Sequence, residues 1–336
     1  MIKAEELKDK MNSAVKSKTP FLFAVDYEME EALFIEHPLN QNTVLWRVGE
    51  VSNAIRVVER SNVLKKDADP KKMHFSKSPL EYSTYERKFT TIQEGLKRGD
   101  SFLANLTVKT PIETNYTLEE IFHRSNSPYA IMVPERFVCF SPETFVKVQN
   151  GVVFSYPMKG TINAELPNAR DLLLSDFKEK SEHYTVVDLI RSDVSRVACQ
   201  VRVDRFRYLD EVKTSSGSIY QASSEISGKL FNCDLGDILF QLLPAGSITG
   251  APKPSTVALI ARAEQEKRGF YCGVMGYFDG EQLDSAVLIR FIEEEKCDSS
   301  PIPQRYFRSG GGITINSDCR SEYEEVLEKV YLPFQS

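Results

Sequence analysis

Residues 141–161 read SPETFVKVQNGVVFSYPMKGT, and no other stretch constrains the fold as strongly. Thr144–Gln149 and Val152–Tyr156 are dense in β-branched and aromatic residues, with Asn150-Gly151 between them. That dipeptide suits a type I′ turn, whose two central residues both need positive φ, so a tight antiparallel hairpin is expected. Pairing about the turn puts Glu143 opposite Met158 and beside Lys159, at the open end of the hairpin. Pro157 ends the strand, and Gly160 allows close backbone approach. A lysine and a carboxylate so arranged are either a surface ion pair or a nucleophile with an acid beside it. The stretch alone leaves both open.

With 336 residues, the chain has room for one large α/β domain or two ordinary ones. A net charge of -6 argues against a nucleic-acid-binding surface. Six cysteines, with no CxxC pair and several in apolar runs, are expected to be reduced and buried, which points to the cytoplasm. The charged N-terminus lacks the apolar core of a signal peptide. No run approaches the roughly 18 apolar residues of a membrane helix. Four histidines outside any HExxH or Cys/His spacing fit zinc chemistry poorly, and there is no P-loop or GxGxxG.

Along the chain, strands are expected at 21–27, 32–37 and 43–48, followed by a polar, Lys-rich loop over 63–78. Ser83 and Glu86 form a capping box, and Tyr85, Phe89, Ile92 and Leu96 continue at helical spacing until Gly99. Phe102, Ala104, Leu106 and Val108 alternate with polar residues, as in a half-buried strand. Thr117 and Glu120 cap a short helix, and strands follow at 129–133 and 137–141. Glu182, Val186, Leu189 and Asp193 share one helical face, and strands are expected at 201–209 and 219–230. Asp234 caps a helix that Pro244 ends, and a helix at 254–267 follows the glycine-rich turn at 245–253. Strands at 270–278, 283–292 and 305–315 precede a final helix capped by Ser321 and Glu324, with Glu325 and Lys329 as i,i+4 neighbours. Long antiparallel strands interleaved with a few helices suggest an α+β fold, with sheets packed between helix layers.

Several features carry chemistry, each with an ordinary alternative. The turn at 245–253 offers backbone N–H groups before a helix, an anion site or merely a loop. Gly310-Gly311-Gly312 inside a strand is either a β-bulge or a close approach of backbone to ligand. Arg290 is an edge residue or a carboxylate clamp. Glu182 and Glu325, from two helices, are solvated residues or joint ligands of a hard cation such as Mg²⁺. Together they describe a small ligand with several carboxylates.

SPETF (141–145), PMKGT (157–161), EHYTVVDLIRSDVSRVA (182–198), AGSITGAPK (245–253), YCGVMGYFDG (271–280), DSAVLIR (284–290) and the segments GGGITINSD and EYEEVLEK within 310–329 carry a resemblance. In their order and spacing, the chain resembles the chorismate-binding enzymes, and among them component I of aminodeoxychorismate synthase. The resemblance covers residues 83–330, leaves residues 1–80 divergent, and implies a single catalytic domain without an amidotransferase domain. It implies two stacked antiparallel sheets between helix layers. It also implies Lys159 as nucleophile, Glu143 as general acid, and Glu182 and Glu325 as Mg²⁺ ligands. Substrate-binding positions fall on Thr161, Thr249, Gly250, Arg290, Gly310, Gly311, Gly312 and Lys329. Chorismate and ammonia are the implied substrates, with a glutamine amidotransferase subunit as partner. Gln221 stands where the family often has histidine, Tyr156 where a basic residue often precedes the proline, and Ser192 and Ser195 where Asn and Gly are usual. A glutamine cannot carry a proton, which removes acid/base work from position 221. Anthranilate synthase component I, usually with alanine at the lysine position, and a non-catalytic binding protein of the same fold are the alternatives.

Overall fold

Side-chain alternation along the strands decides the architecture. In Tyr129–Val133, residues Tyr129, Ile131 and Val133 join one apolar cluster while Ala130 and Met132 join another. A strand apolar on both faces needs a packed layer on each side. The computed structural model, which describes residues 1–54, 73–214, 217–297 and 300–334, supplies those layers. One antiparallel sheet has ten described strands and a second has nine. The helices are α1 (Ala4–Lys16), α2 (Tyr82–Arg98), α3 (Leu118–Arg124), α4 (Ala169–Ser175), α5 (Phe177–Val194), α6 (Leu235–Leu242), α7 (Lys253–Glu264) and α8 (Cys319–Glu328).

The largest apolar cluster joins both sheets through Phe23, Val274, Ile131 and Phe137, and extends to Leu7 and Met11 of α1 and Leu239 of α6. A second lies between the outer face of the nine-stranded sheet and α3, with Ile121 and Phe122 against Val138 and Phe140. A third packs α2, α7 and α8 on Leu106 and Val108. This is the expected α+β arrangement of stacked sheets between helices. No helix of the described residues is long and apolar enough to cross a membrane.

The hairpin turn forms as expected, with Asn150 at φ 51 and Gly151 at φ 74, and Lys147, Val148 and Gln149 pair with Phe154, Val153 and Val152. Its open end does not. An irregularity between Thr144 and Lys147 bends the first strand along Leu283–Val287, and Met158 pairs with Ser223. Glu143 therefore does not face Met158.

The strand expected over 283–292 is two strands, Leu283–Val287 in one sheet and Phe291–Cys297 in the other. Between them Arg290 adopts φ 57, which turns the chain from sheet to sheet. The triple glycine makes no bulge: Gly310, Gly311 and Gly312 pair in register with Thr107, Leu106 and Asn105.

Caps differ in detail. Thr117 and Glu120 form their capping box. Glu81, not a Ser83 box, precedes α2, and Asp318 rather than Ser321 caps α8. Asp234 precedes α6 but its carboxylate accepts from Lys16 at 2.8 Å. Cys139 and Cys272 are buried, whereas Cys199 and Cys233 are exposed, against expectation. Most of the Lys-rich stretch at 63–78 lies outside the described residues, and its end forms the strand Phe75–Lys77.

A buried ion pair ties α7 to the nine-stranded sheet and to the loop at 245–253. Arg268 and Glu264 meet at 2.6 Å with side chains 1% exposed. Glu264 accepts from the Thr107 amide, and Arg268 donates to the Ile248 and Asn105 carbonyls. Arg268→Met leaves a carboxylate stranded in the interior, so urea unfolding should report a loss of about 3–5 kcal/mol.

Candidate functional site

A cavity of about 220 Å³ opens where the two sheets meet. Eight expected residues line it: Glu143, Lys159, Glu182, Arg290, Gly310, Gly311, Gly312 and Lys329. Each arrives for a local reason. Glu143 follows the strand Phe137–Ser141 and precedes Thr144–Gln149, at the point where the chain changes sheets. Lys159 lies on Met158–Asn163, where Gly160 at φ 86 is tightly enclosed: a Cβ there would sit 2.8 Å from Glu179 Oε2. Gly310 leaves no room either, since a Cβ would meet the Leu106 carbonyl oxygen at 2.8 Å. Gly310, Gly311 and Gly312 thus present backbone to the cavity.

Lys159 does not pair with Glu143. Its Nζ lies 2.8 Å from Glu182 Oε2 on α5. Burial pushes the Lys159 ammonium down, but the carboxylates of Glu182, Glu325 and Glu179 outweigh it and raise the group above its ordinary value. Burial raises Glu143 above the usual carboxylate range, against the opposing pull of the Ser247 hydroxyl and the charges of Arg290, Lys159 and Lys329. Lys329 Nζ contacts Glu325 Oε1 at 2.7 Å and the Gly310 carbonyl at 2.8 Å. Arg290 Nε donates to the Tyr331 hydroxyl at 3.2 Å.

Four expected residues do not line the cavity. Thr161 is exposed on the strand Met158–Asn163, opposite Gln221. Thr249 is fully buried beside Tyr27, and Gly250 pairs with Ala104, where a Cβ would lie 1.8 Å from the Leu103 carbonyl oxygen. Glu325 stands outside the wall, although its charge reaches Lys159. Gln221 is likewise absent from the lining.

Of the two readings of 245–253, the helix start favours the plain loop over the anion site. Pro252 precedes α7 and Pro254 stands in its first turn, so donors are missing there, and Lys253 turns inward to Asp193 at 2.9 Å. Ser247 and Ile248 face the cavity instead.

Sequence reasoning missed Ser247, Asn105 and Tyr271, which also line the cavity. Asn105 was readable: Ala104, Leu106 and Val108 go to one core cluster, so the residue between must face the other way. Nothing marked Ser247 above its loop neighbours.

Glu182 and Glu325 offer hard oxygen donors, which suit Mg²⁺. Each already meets a lysine, and no group of three or more His, Cys, Asp or Glu able to hold a metal occurs among the described residues. The donor type fits; the remaining oxygens of an octahedral shell would have to come from water or a bound ligand.

Three cations, two carboxylates and exposed glycine backbone around one cavity define a binding enzyme for a small, acidic ligand. The chain belongs to the chorismate binding enzyme family, whose model matches residues 6–334. A PabA-like protein of Haemophilus influenzae is 46% identical over 97% of this chain and 96% of its own length. Aminodeoxychorismate synthase component 1 of Salmonella typhimurium is 30% identical over 73% of this chain, which spans 56% of that relative. Anthranilate synthase component I of Streptococcus pneumoniae superposes with a TM-score of 0.70 at 23% identity, covering 96% of this chain and 84% of that one.

The raised Glu143 has a consequence for stability. Its folded form holds the proton to higher pH than the unfolded chain does, so its contribution is present at acid pH and is lost as pH rises through the folded value. Glu143→Gln cannot ionise. Its melting temperature should match that of the parent near pH 4 and exceed it at pH 7–8, as calorimetry across that range can check.

Proposed function

We propose that this chain is an aminodeoxychorismate synthase component I, converting chorismate and ammonia to 4-amino-4-deoxychorismate. The observation that carries the reading is that Lys159, from the strand Met158–Asn163, and Glu143, from the connection between two strands, enter one cavity without pairing to each other. An acid whose proton burial helps hold to higher pH and an amine held by a different carboxylate can act on opposite ends of one substrate. The matches to named component 1 proteins of Salmonella typhimurium and Bacillus subtilis support the same assignment.

In this mechanism Arg290, Lys329 and the Gly310–Gly312 backbone take the substrate carboxylates. Lys159 passes one ammonium proton to the Glu182 carboxylate 2.8 Å away, takes it back when it leaves, and meanwhile its neutral nitrogen forms a bond to ring carbon C2. The double bond shifts, and the C4 hydroxyl leaves as water with the proton of Glu143. Ammonia then adds at C4, the double bond returns, and the lysine leaves C2. Pyruvate stays on the product. Glu182 and Glu325 would hold Mg²⁺, which when bound supplies charge neutralisation for the substrate carboxylates. A separate glutamine amidotransferase subunit would supply ammonia, so the chain by itself should use ammonium salts and not glutamine.

An assay with chorismate, Mg²⁺ and ammonium tests the assignment. Aminodeoxychorismate supports it; anthranilate and free pyruvate would make the chain an anthranilate synthase. Lys159→Arg separates a nucleophile from an ion-pair partner, because the guanidinium keeps the charge yet is never deprotonated. It should abolish product formation while melting within a few degrees of the parent. Lys159→Ala opens space for direct attack by ammonia and should keep some turnover. A Lys159→Arg enzyme with parental rates would end the covalent reading. Glu325→Gln should abolish activity with little change in melting temperature, and full activity after EDTA treatment would remove the metal from the mechanism.

A further inference from the structure

A second cavity, of about 470 Å³, adjoins the loop at 245–253. The middle of that loop, Ser247 and Ile248, lines the first cavity, whereas its flanks, Pro244 and Lys253, line the second. The apolar part of its lining is Met29, Leu243, Pro244, Val257, Ile260 and Ala261.

The charges around it are nearly all committed. Glu28 accepts from the Arg268 and Gly269 amides, and Glu30 binds Lys267. Glu264 holds Arg268, and Glu266 meets Lys88 and Arg308. Lys253 spends its ammonium on Asp193 at 2.9 Å and the Leu242 carbonyl at 2.6 Å. Arg196 differs: it is exposed and lines the cavity, and its charge reaches the Asp193 carboxylate without a hydrogen bond or ion pair to any described residue. An apolar hollow with one uncommitted cation at its rim is complementary to an apolar body bearing one negative charge.

We propose that this cavity is a second ligand site, taking a small apolar monocarboxylate whose carboxylate meets Arg196 and whose body lies against Val257, Ile260 and Met29. The site is independent of which reaction the first cavity catalyses. It borders the loop that presents Ser247 to Glu143, so its occupant would touch both flanks of a catalytic-cavity wall.

Calorimetric titration of the full chain with benzoate tests the proposal, with benzylammonium as an isosteric cation. Saturable, one-to-one benzoate binding is expected, with none for benzylammonium. Arg196→Leu, at an exposed position, should weaken it roughly tenfold or more through loss of a charge-assisted contact. Val257→Trp should do the same by filling the hollow, while Arg290→Leu, in the first cavity, should leave it unchanged. Melting curves verify that each variant is folded. Absence of saturation in the millimolar range, equal affinity in Arg196→Leu, or loss of binding in Arg290→Leu would each overturn the assignment, the last by moving benzoate to the first cavity.

Discussion

The backbone hydrogen bonds around Leu288 hold the seam from which the cavity is built. Cys272 donates to the Leu288 carbonyl and Leu288 to the Gly273 carbonyl, while Phe140 of the other sheet donates to the Arg290 carbonyl. Gly273 fits only without a side chain, since a Cβ would lie 2.1 Å from the Val25 carbonyl oxygen. Strands from both sheets are therefore locked at one point. The chain leaves that point with Arg290 in a left-handed conformation, which costs energy for a non-glycine residue and persists because the flanking strands fix both sides. Arg290 reaches the cavity because the crossing is there.

Charge is arranged around the seam so that both lysines have a carboxylate partner, while Arg290 meets only the Tyr331 hydroxyl. Lys159 leans on Glu182, Lys329 on Glu325, and Glu143 is eased toward its neutral form by burial. These are contacts between elements far apart in sequence, and most are not fully buried, so their value lies in position more than in stability. Binding an acidic ligand would redistribute the same charges without requiring new ones.

Much of this was legible in the chain. Asn150-Gly151 specified the turn, the strands read at Tyr129–Val133 and Phe137–Ser141 have the observed bounds, and the motif order led to eight of the residues that line the cavity. What failed did so for physical reasons. A run of apolar residues from Leu283 to Ile292 carries no mark of the sheet change, because the turn is made by an arginine and not by glycine or proline. A hairpin register cannot foresee that a neighbouring strand will bend its open end. The turn at 245–253 could be read as an anion site because the inward turn of Lys253 to Asp193, on another helix, is a tertiary fact. Thr249 and Gly250 belong to the right loop, but its cavity-facing residues are Ser247 and Ile248.

Helix α5 carries Glu182 near its start and Asp193 near its end. The first holds the strand of Lys159, and the second holds the loop wall through Lys253. Eleven residues separate them, about three helical turns, so the two side chains leave the helix on nearly the same azimuth. The helix is thus a ruler as well as a support. One residue gained or lost between those positions would rotate its far end by about 100° and break one grip while keeping the other. Length between Glu182 and Asp193 should therefore be among the least variable intervals of this chain, and hybrids assembled from related chains would need their junctions outside it.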